Sequence, residues 1–398
     1  MPVMDIYERA LVRHRECRGK IEVRSRMRLE SQDDLSLAYT PGVARPCEEI
    51  ARNPGSAWEL TWKGRTVAVV SDGSAVLGLG DIGPAASLPV MEGKAALFHE
   101  FGGVDAVPVV LDTRDSDEIV QIVKAIAPTY GGINLEDISA PRCFEIEARL
   151  QDIGIPVLHD DQHGTAIVLL AAMLNAARLQ NRRLGDLSVV INGAGAAGRA
   201  IAGLLTCHDA DDHCVPVGKV RICDSRGLIY PGREKNGPYK EDLAEWTNPE
   251  GERGTLRDAL RGAHVFIGVS RGKILNADDI RTMGERPVIL AMANPIPEID
   301  PEEARLGGAE IVGTGRSDYP NQVNNVLAFP GLFRGALESR ATRFTPAMKY
   351  AAIEAIAEAV LEPTPGRILP APFNRSVVVE VARRVAAAAR DSGVCHGR

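Results

Sequence analysis

No run of eighteen or more apolar residues occurs in the 398-residue chain, so nothing in it reads as a membrane-spanning helix. The opening stretch, MPVMDIYERALVRHREC, is charged throughout and lacks the apolar centre of a signal peptide. No Cys-x-x-Cys pair occurs among the seven scattered cysteines, Cys17, Cys47, Cys143, Cys207, Cys214, Cys223 and Cys395. They read as free thiols in a reducing compartment, and the expected location is the cytoplasm. A surplus of basic residues is missing as well: the net charge is −7, which argues against nucleic acid as a partner but leaves room for a local basic pocket. Internal repeats and low-complexity segments are absent. What remains is an ordinary globular composition, 45% hydrophobic and 25% charged, with length for two domains and a third possible.

The strongest pattern lies between Leu184 and Asp224. Val189, Val190 and Ile191 form a short apolar run typical of a buried parallel strand. Gly193-Ala194-Gly195-Ala196-Ala197-Gly198 follows at once, and Arg199 to Leu205 reads as the start of an apolar helix. A second strand, Lys219 to Cys223, closes on Asp224. Strand, Gly-x-Gly-x-x-Gly, helix, strand and acid make the context of a dinucleotide fingerprint. Gly193 permits the tight turn, Gly195 lets backbone approach a pyrophosphate, and Gly198 lets helix and strand pack closely. The helix N-terminus offers unpaired N–H groups to phosphates. Asp224 can accept from the two hydroxyls of an adenosine ribose. It lies 26 positions after Gly198, and the polar insert from Cys207 to Gly218 accounts for the long spacing.

Before this unit, the pattern predicts a first helix up to Gly19, a short strand at Ile21 to Val23, and Tyr39 at a Thr40-Pro41-Gly42 turn that enters a helix. Buried strands are predicted at Thr66 to Val70, Asp105 to Leu111 and Ile155 to Leu158. Lys94 sits in a helix among Val90, Met91, Ala95, Ala96, Leu97 and Phe98. Such apolar wrapping can lower a lysine's pKa and make it a base. Two acidic pairs, Glu136-Asp137 and Asp160-Asp161, stand near strand ends. Glu136, Asp137 and one of Asp160 or Asp161 would suit a hard cation such as Mg²⁺ or Mn²⁺. Zinc fits less well, because His159 and His163 are spaced i, i+4 without the glutamate of His-Glu-x-x-His. Asn294, Asn324 and Asn325 are amides near later strand ends, able to hold a carboxylate or carboxamide. The predicted fold class is α/β. An N-terminal substrate domain (1–160) precedes a Rossmann-type, doubly wound parallel-sheet domain (161–340), and a C-terminal helical segment (341–398) packs back.

Eight short blocks, in this order, resemble the malic enzyme family in its short bacterial form: LSLAYTPGVA, SDGSAVLGLGDIGP, PVMEGKAALF, EDISAPRCFEIE, HDDQHGTA, GAGAAG, ANPIPE and NNVLAFPG. The resemblance runs from about Asp33 to Phe333, and the later helices fit it too. It implies oxidative decarboxylation of L-malate to pyruvate and CO₂ with reduction of NAD or NADP. On the family pattern, Lys94 takes the 2-hydroxyl proton, Asp160 bonds Lys94, and Tyr39 protonates the enol. Glu136, Asp137 and Asp161 hold the metal, while Asn294 and Asn325 hold malate and orient the nicotinamide. A homodimer or higher homo-oligomer is implied, with the N-terminal segment against the partner. One departure stands out. Longer animal-type relatives carry an arginine for the malate carboxylate where this chain has Ala75. The fused extension of some longer bacterial relatives is not expected either.

Two other functions fit parts of the pattern. A malolactic enzyme would retain NAD and release lactate. A catalytically silent dinucleotide-binding regulator would need neither Tyr39, Lys94 nor the carboxylates. Asp224 favours NAD by repelling a 2′-phosphate, although Arg226, Arg233 and Lys240 downstream could meet that phosphate.

Overall fold

The computed structural model describes residues 5–76, 78–208 and 214–397. Among them, no helix is long and apolar enough to cross a membrane. Two sheets organise the chain. The first has strands β1 (Thr66–Ser71), β2 (Asp105–Val110), β3 (Gly132–Leu135) and β4 (Val157–His159), all parallel, in the order β2-β1-β3-β4. The run TVAVVS of β1 is buried on both faces, as a central parallel strand must be.

The second sheet contains β5 (Ser188–Asn192), β6 (Lys219–Asp224), β7 (Gly227–Leu228), β8 (Val265–Gly268), β9 (Val288–Ala291) and β10 (Ile311–Thr314). Its order is β10-β9-β8-β5-β6-β7. The order reverses between β5 and β8, which makes a switch point with a crevice at the strand C-termini. Only β7 is antiparallel, pairing with β6 across Asp224 and Gly227. This two-residue edge ribbon stands within what the sequence marks only as a polar loop, and it is too short to leave a periodicity.

The sheets are bridged by helix Asp160–Gln180, which starts directly after β4. Its sequence is apolar on nearly every face, so it is buried almost all round. Asn175 in its middle donates to the carbonyls of Ala357 and Ile368, tying in the C-terminal region. The largest core cluster joins Val67 and Val69 of the first sheet, Val189 and Ile191 of the second, and Phe329 and Phe333 of helix Phe329–Ser339. Phe98 meets both phenylalanines edge-on, with centroids 4.7 and 5.3 Å away. Each fully buried aromatic of this kind stabilises the fold by about 1.5–3 kcal/mol. The C-terminal helices therefore pack back. Helix Arg375–Asp391 crosses Phe329–Ser339 at Gly331 and Gly335, where an added Cβ would meet Val381 Cγ1 at 2.6 Å and the Ala382 carbonyl at 2.5 Å.

The N-terminal region behaves differently. Helices Ile6–Cys17, Gln32–Ala38 and Ala44–Arg52 have sound caps in part but bury none of their residues. Ile21 and Val23 form no strand, because both are exposed and have no sheet edge to join. The expectation that all cysteines are free also fails. Cys207 and Cys214 form a disulfide, brought together because Cys207 ends helix Ala196–Thr206 in a left-handed turn. Cys17, Cys47, Cys143, Cys223 and Cys395 are free.

Candidate active site

β3 and β4 are neighbours in register, Leu135 beside His159, so the residues that follow each strand emerge side by side. Glu136 and Asp137 come from β3. Asp160 and Asp161 open the helix after β4 and occupy its first turn, where helix polarity favours negative charge. Asp137 adopts a left-handed conformation (φ 53°), which a short polar residue tolerates. That turn aims its N–H at Asp161 Oδ2, 2.8 Å away. Gly164, one helical turn on, leaves room for Asp160: a Cβ there would lie 2.0 Å from Asp160 Oδ1.

Lys94 reaches this cluster from helix Pro84–Leu97, its side chain only 7% exposed. Its Nζ is 2.8 Å from Glu136 Oε1 and 2.6 Å from Asp160 Oδ2, and lies 4.2 Å over the Phe329 ring. Asn325 Nδ2 donates to the same Asp160 oxygen, and Asn134 Nδ2 donates to Glu136 Oε2 at 2.8 Å. Burial works against the lysine charge, but Asp160, Glu136 and Asp161 outweigh it and raise the ammonium well above its ordinary value. The lowered pKa expected from its apolar neighbours in sequence is therefore overturned. Those neighbours flank the stem, whereas the ammonium group ends among carboxylates delivered by other elements.

The carboxylates outnumber the cation. Burial first, then repulsion from Asp161, Asp160 and Asp137, pushes Glu136 well above the usual carboxylate range, with Lys94 opposing. Burial likewise raises Asp160. Asp160 Oδ1 is buried without a hydrogen-bond partner. Among the described residues, no three His, Cys, Asp or Glu side chains already form a closed metal-ligand set. The chemistry nevertheless fits a hard divalent ion, with oxygen donors only, an excess of negative charge and an unmet buried carboxylate oxygen.

Behind the cluster lies a group that the sequence patterns did not single out. Glu147 accepts the His159 N–H at 2.9 Å, Gln162 Nε2 at 3.0 Å and His163 Nε2 at 3.0 Å. Burial alone would raise its pKa, but His163, Lys349 and His159 bring it down to about 2. Glu147 sits inside one of the recognised blocks, yet no local pattern marks it as different from Glu145.

Two arginines that reach the turn at Ala75 from elsewhere are already paired. Arg142 bonds Asp72 Oδ2 at 2.8 Å and Ser74 Oγ at 3.0 Å, and Arg114 bonds the Asp72 carbonyl and Asp81. Two other predicted residues stand apart. Tyr39 is 68% exposed at the end of helix Gln32–Ala38. Asn294 follows β9 and faces the Gly78 turn, its carbonyl 3.8 Å from where a Gly78 Cβ would be.

The second sheet's switch point holds the dinucleotide elements. Gly193 has φ 125°, and a Cβ there would lie 2.4 Å from the Val269 carbonyl. A Gly198 Cβ would lie 1.8 Å from the Gly193 carbonyl, whereas Gly195 faces open space. These are the tight turn, the close packing and the approach surface expected of the fingerprint. Helix Ala196–Thr206 has no side-chain cap at Gly195, which leaves the N–H groups of its first turn to a ligand. The adjoining cavity, about 680 Å³, is lined by Gly195, Asp224, Arg226, Lys240, Arg257 and Arg271 among others.

Asp224 is not a bare acid. Arg233 grips it with Nη1 at 3.0 Å and Nη2 at 2.6 Å, Lys240 Nζ lies 2.6 Å away, and the Arg226 N–H donates at 2.9 Å. Partial burial opposes ionisation, but Arg233 and Lys240 hold the carboxyl well below its ordinary value. Tyr239 caps the glycine turn from outside, donating its hydroxyl to the Ala194 carbonyl and stacking on Phe144 at 4.9 Å.

Comparison with known proteins gives a consistent result. Residues 18–151 match the family model "Malic enzyme, N-terminal domain", and residues 162–390 match "Malic enzyme, NAD binding domain". The chain is 52% identical over 395 residues to the bifunctional malic/malolactic enzyme of Bacillus subtilis, covering 98% of this chain and 95% of that one. It is also 52% identical to the NAD-dependent malic enzyme of Geobacillus stearothermophilus, covering 98% and 80% of the two. The NADP-dependent malic enzyme of Escherichia coli is 46% identical, and the match spans 94% of this chain but 51% of that longer protein. Among solved structures, a malic enzyme from Pyrococcus horikoshii superposes with a TM-score of 0.92 at 46% identity, covering 99% of this chain and 93% of that one. The NAD-dependent malic enzyme of Thermotoga maritima gives 0.90 at 47%, covering 96% and 99%.

Proposed function

The chain belongs to the malic enzyme family, and from that premise we propose that Lys94, Asp160 and Tyr39 carry its NAD(P)-dependent oxidative decarboxylation of L-malate to pyruvate and CO₂. The observation that carries the reading is Lys94 lodged between Glu136 and Asp160 where β3 and β4 end. Glu136, Asp137 and Asp161 would hold a divalent ion such as Mg²⁺ or Mn²⁺, which would supply Lewis-acid polarisation of the substrate oxygen. The turn Gly193 to Gly198 and Asp224 would hold the dinucleotide, which would supply the hydride acceptor.

The protein's own groups move the protons. Lys94 receives the C2 hydroxyl proton of malate as the C2 hydrogen leaves with its bonding pair as hydride. To do so it first loses its own proton, and we assign Asp160, 2.6 Å from its Nζ, as the acceptor. Breakage of the C3–C4 bond then releases CO₂ and leaves an enolate, whose C3 is protonated by Tyr39. Asn325, already bonded to Asp160, and Asn294 hold malate and the nicotinamide end.

Tyr39 is exposed in its own chain, on a region whose helices expose Ile6, Tyr7, Leu11, Val12, Leu35 and Leu37. We propose that this apolar surface packs on a second copy, so that the working form is a homodimer or larger. Mixing Lys94→Ala and Tyr39→Phe proteins tests whether the tyrosine crosses over. Recovered pyruvate formation in the mixture indicates exchange between sites, and none indicates that each chain uses its own tyrosine. Alone, Tyr39→Phe should still oxidise malate but slow the reverse reaction, reductive carboxylation of pyruvate with CO₂ and reduced nicotinamide, by ~10²-fold or more.

The primary test follows reduced-nicotinamide absorbance with L-malate, Mn²⁺ or chelator, and NAD or NADP, with pyruvate assayed at the end. Metal-dependent signal with matching pyruvate is expected. A malolactic reading has specific support in the bifunctional Bacillus subtilis relative. Malate loss with lactate and no net signal would favour it.

A further inference from the structure

Helix Asp160–Gln180 begins without a side-chain cap of its own. Its N-cap residue, His159, donates its N–H instead to Glu147, which lies on the separate helix Arg142–Ala148. The same carboxylate accepts from Gln162 and His163, one and two residues beyond Asp161. His163 Nδ1 in turn lies 3.1 Å from Lys349 Nζ, on helix Pro346–Glu358. Glu147 is 8% exposed, so these bonds are not shared with bulk water. An acid placed at a helix N-terminus is favourable in itself. Here it also clamps both sides of the turn that carries Asp160 and Asp161.

Those two aspartates are held from the opposite side. Asp160 is held by Lys94 and Asn325, and Asp161 by the Asp137 N–H. Each of those partners belongs to the substrate site. The backbone on which the aspartates stand is fixed from the other side, by Glu147.

We propose that Glu147 is a positioning residue for the metal site, holding the first turn of helix Asp160–Gln180 so that Asp161 and Asp160 face Glu136, Asp137 and Lys94. The inference rests on the metal-dependent reading of that site. Glu147 accepts hydrogen bonds from the His159 N–H, Gln162 and His163. It acts through backbone and through Gln162 and His163. Replacing it with glutamine keeps the shape but turns an acceptor edge into an N–H₂ that opposes the donors around it.

The test is Mn²⁺ titration of the full chain by calorimetry, with NADH affinity by fluorescence and Tm as controls. For Glu147→Gln, Mn²⁺ affinity should fall by ~10–100-fold, the size expected when a residue supporting a metal ligand is lost, while NADH affinity is kept. Glu147→Asp retains charge but is one methylene short and should fall between. It decides the question by the same criterion if the glutamine variant does not fold. A lower Tm with Mn²⁺ affinity unchanged overturns the proposal. So do equal losses of Mn²⁺ and NADH affinity, which mark general loosening. A parent protein that binds NADH but no Mn²⁺ would overturn the metal reading itself, a result distinct from failure of Glu147 alone.

Discussion

The two sheets end in sites of opposite electrical character. At the ends of β3 and β4, one buried lysine faces Glu136, Asp137, Asp160 and Asp161, and the carboxylates hold its ammonium above its ordinary pKa while burial raises Glu136. At the end of β6, one acid faces Arg233, Lys240 and Arg226, and these cations hold its carboxyl below its ordinary pKa. Both sites lie at the C-terminal ends of parallel strands, although β4 runs straight into a helix and β6 turns into the antiparallel β7. The side chains added there decide the rest. The first end has too much negative charge and suits a cation beside an acidic substrate. The second has too much positive charge and suits phosphates.

That contrast breaks most sharply at its lone charges. Lys94→Ala removes the buried cation of the first site, and malate oxidation should fall by ~10²–10⁴-fold while dinucleotide affinity is unchanged. Near-normal turnover would remove Lys94 from the chemistry. Asp224→Ala removes the acid of the second site and frees Arg233 and Lys240. The ratio of kcat/KM for NADP over NAD should then rise by about tenfold or more, as one charge-assisted contact is worth about 1.5–3 kcal/mol. Lys240→Ala should move the ratio the other way, by about tenfold or less, since Arg233 still neutralises the acid. The sequence alone leans to NAD. Pairing of Asp224 with Arg233 and Lys240 weakens its repulsion of a 2′-phosphate, so discrimination between the cofactors should be shallow. A preference above about a thousandfold, or roughly 4 kcal/mol, would contradict that.

A smaller effect concerns pH. Glu147 is lowered from an ordinary 4.5 to about 2 in the folded chain. A depressed carboxylate contributes stability in full above its unfolded pKa and loses it as pH falls through the folded one. The contribution should fade below pH 4.5 and be gone near 2. Tm measured downward from about pH 5 should therefore drop less steeply in Glu147→Gln than in the parent. Equal slopes would mean that His163 and Lys349 do not hold the carboxylate in solution.

Local sequence determined a good deal. The fingerprint from Gly193 to Gly198 was legible because each glycine answers a local demand of turn, approach or packing. Buried parallel strands were legible because both of their faces are apolar. The acidic pairs were legible as oxygen donors, although their separation in the chain left open which of Asp160 and Asp161 binds metal. Tertiary structure decided the charges. Lys94 looked like a lysine with a lowered pKa because its sequence neighbours are apolar, but its ammonium group is set by carboxylates 42 to 67 positions away, where Coulomb attraction outweighs burial. Asp224 looked like an acid awaiting a ribose, and the β6–β7 ribbon folds Arg233 back onto it. Glu147 carried no signal, because its partners lie 12 to 16 positions on and meet it only when β4 and helix Arg142–Ala148 pack. The sequence by itself determined the family, the fold class and the kinds of group at each site. Which charge prevails there was decided only in the tertiary structure, because electrostatic energy depends on distance through space and on burial, and neither is a property of position along the chain.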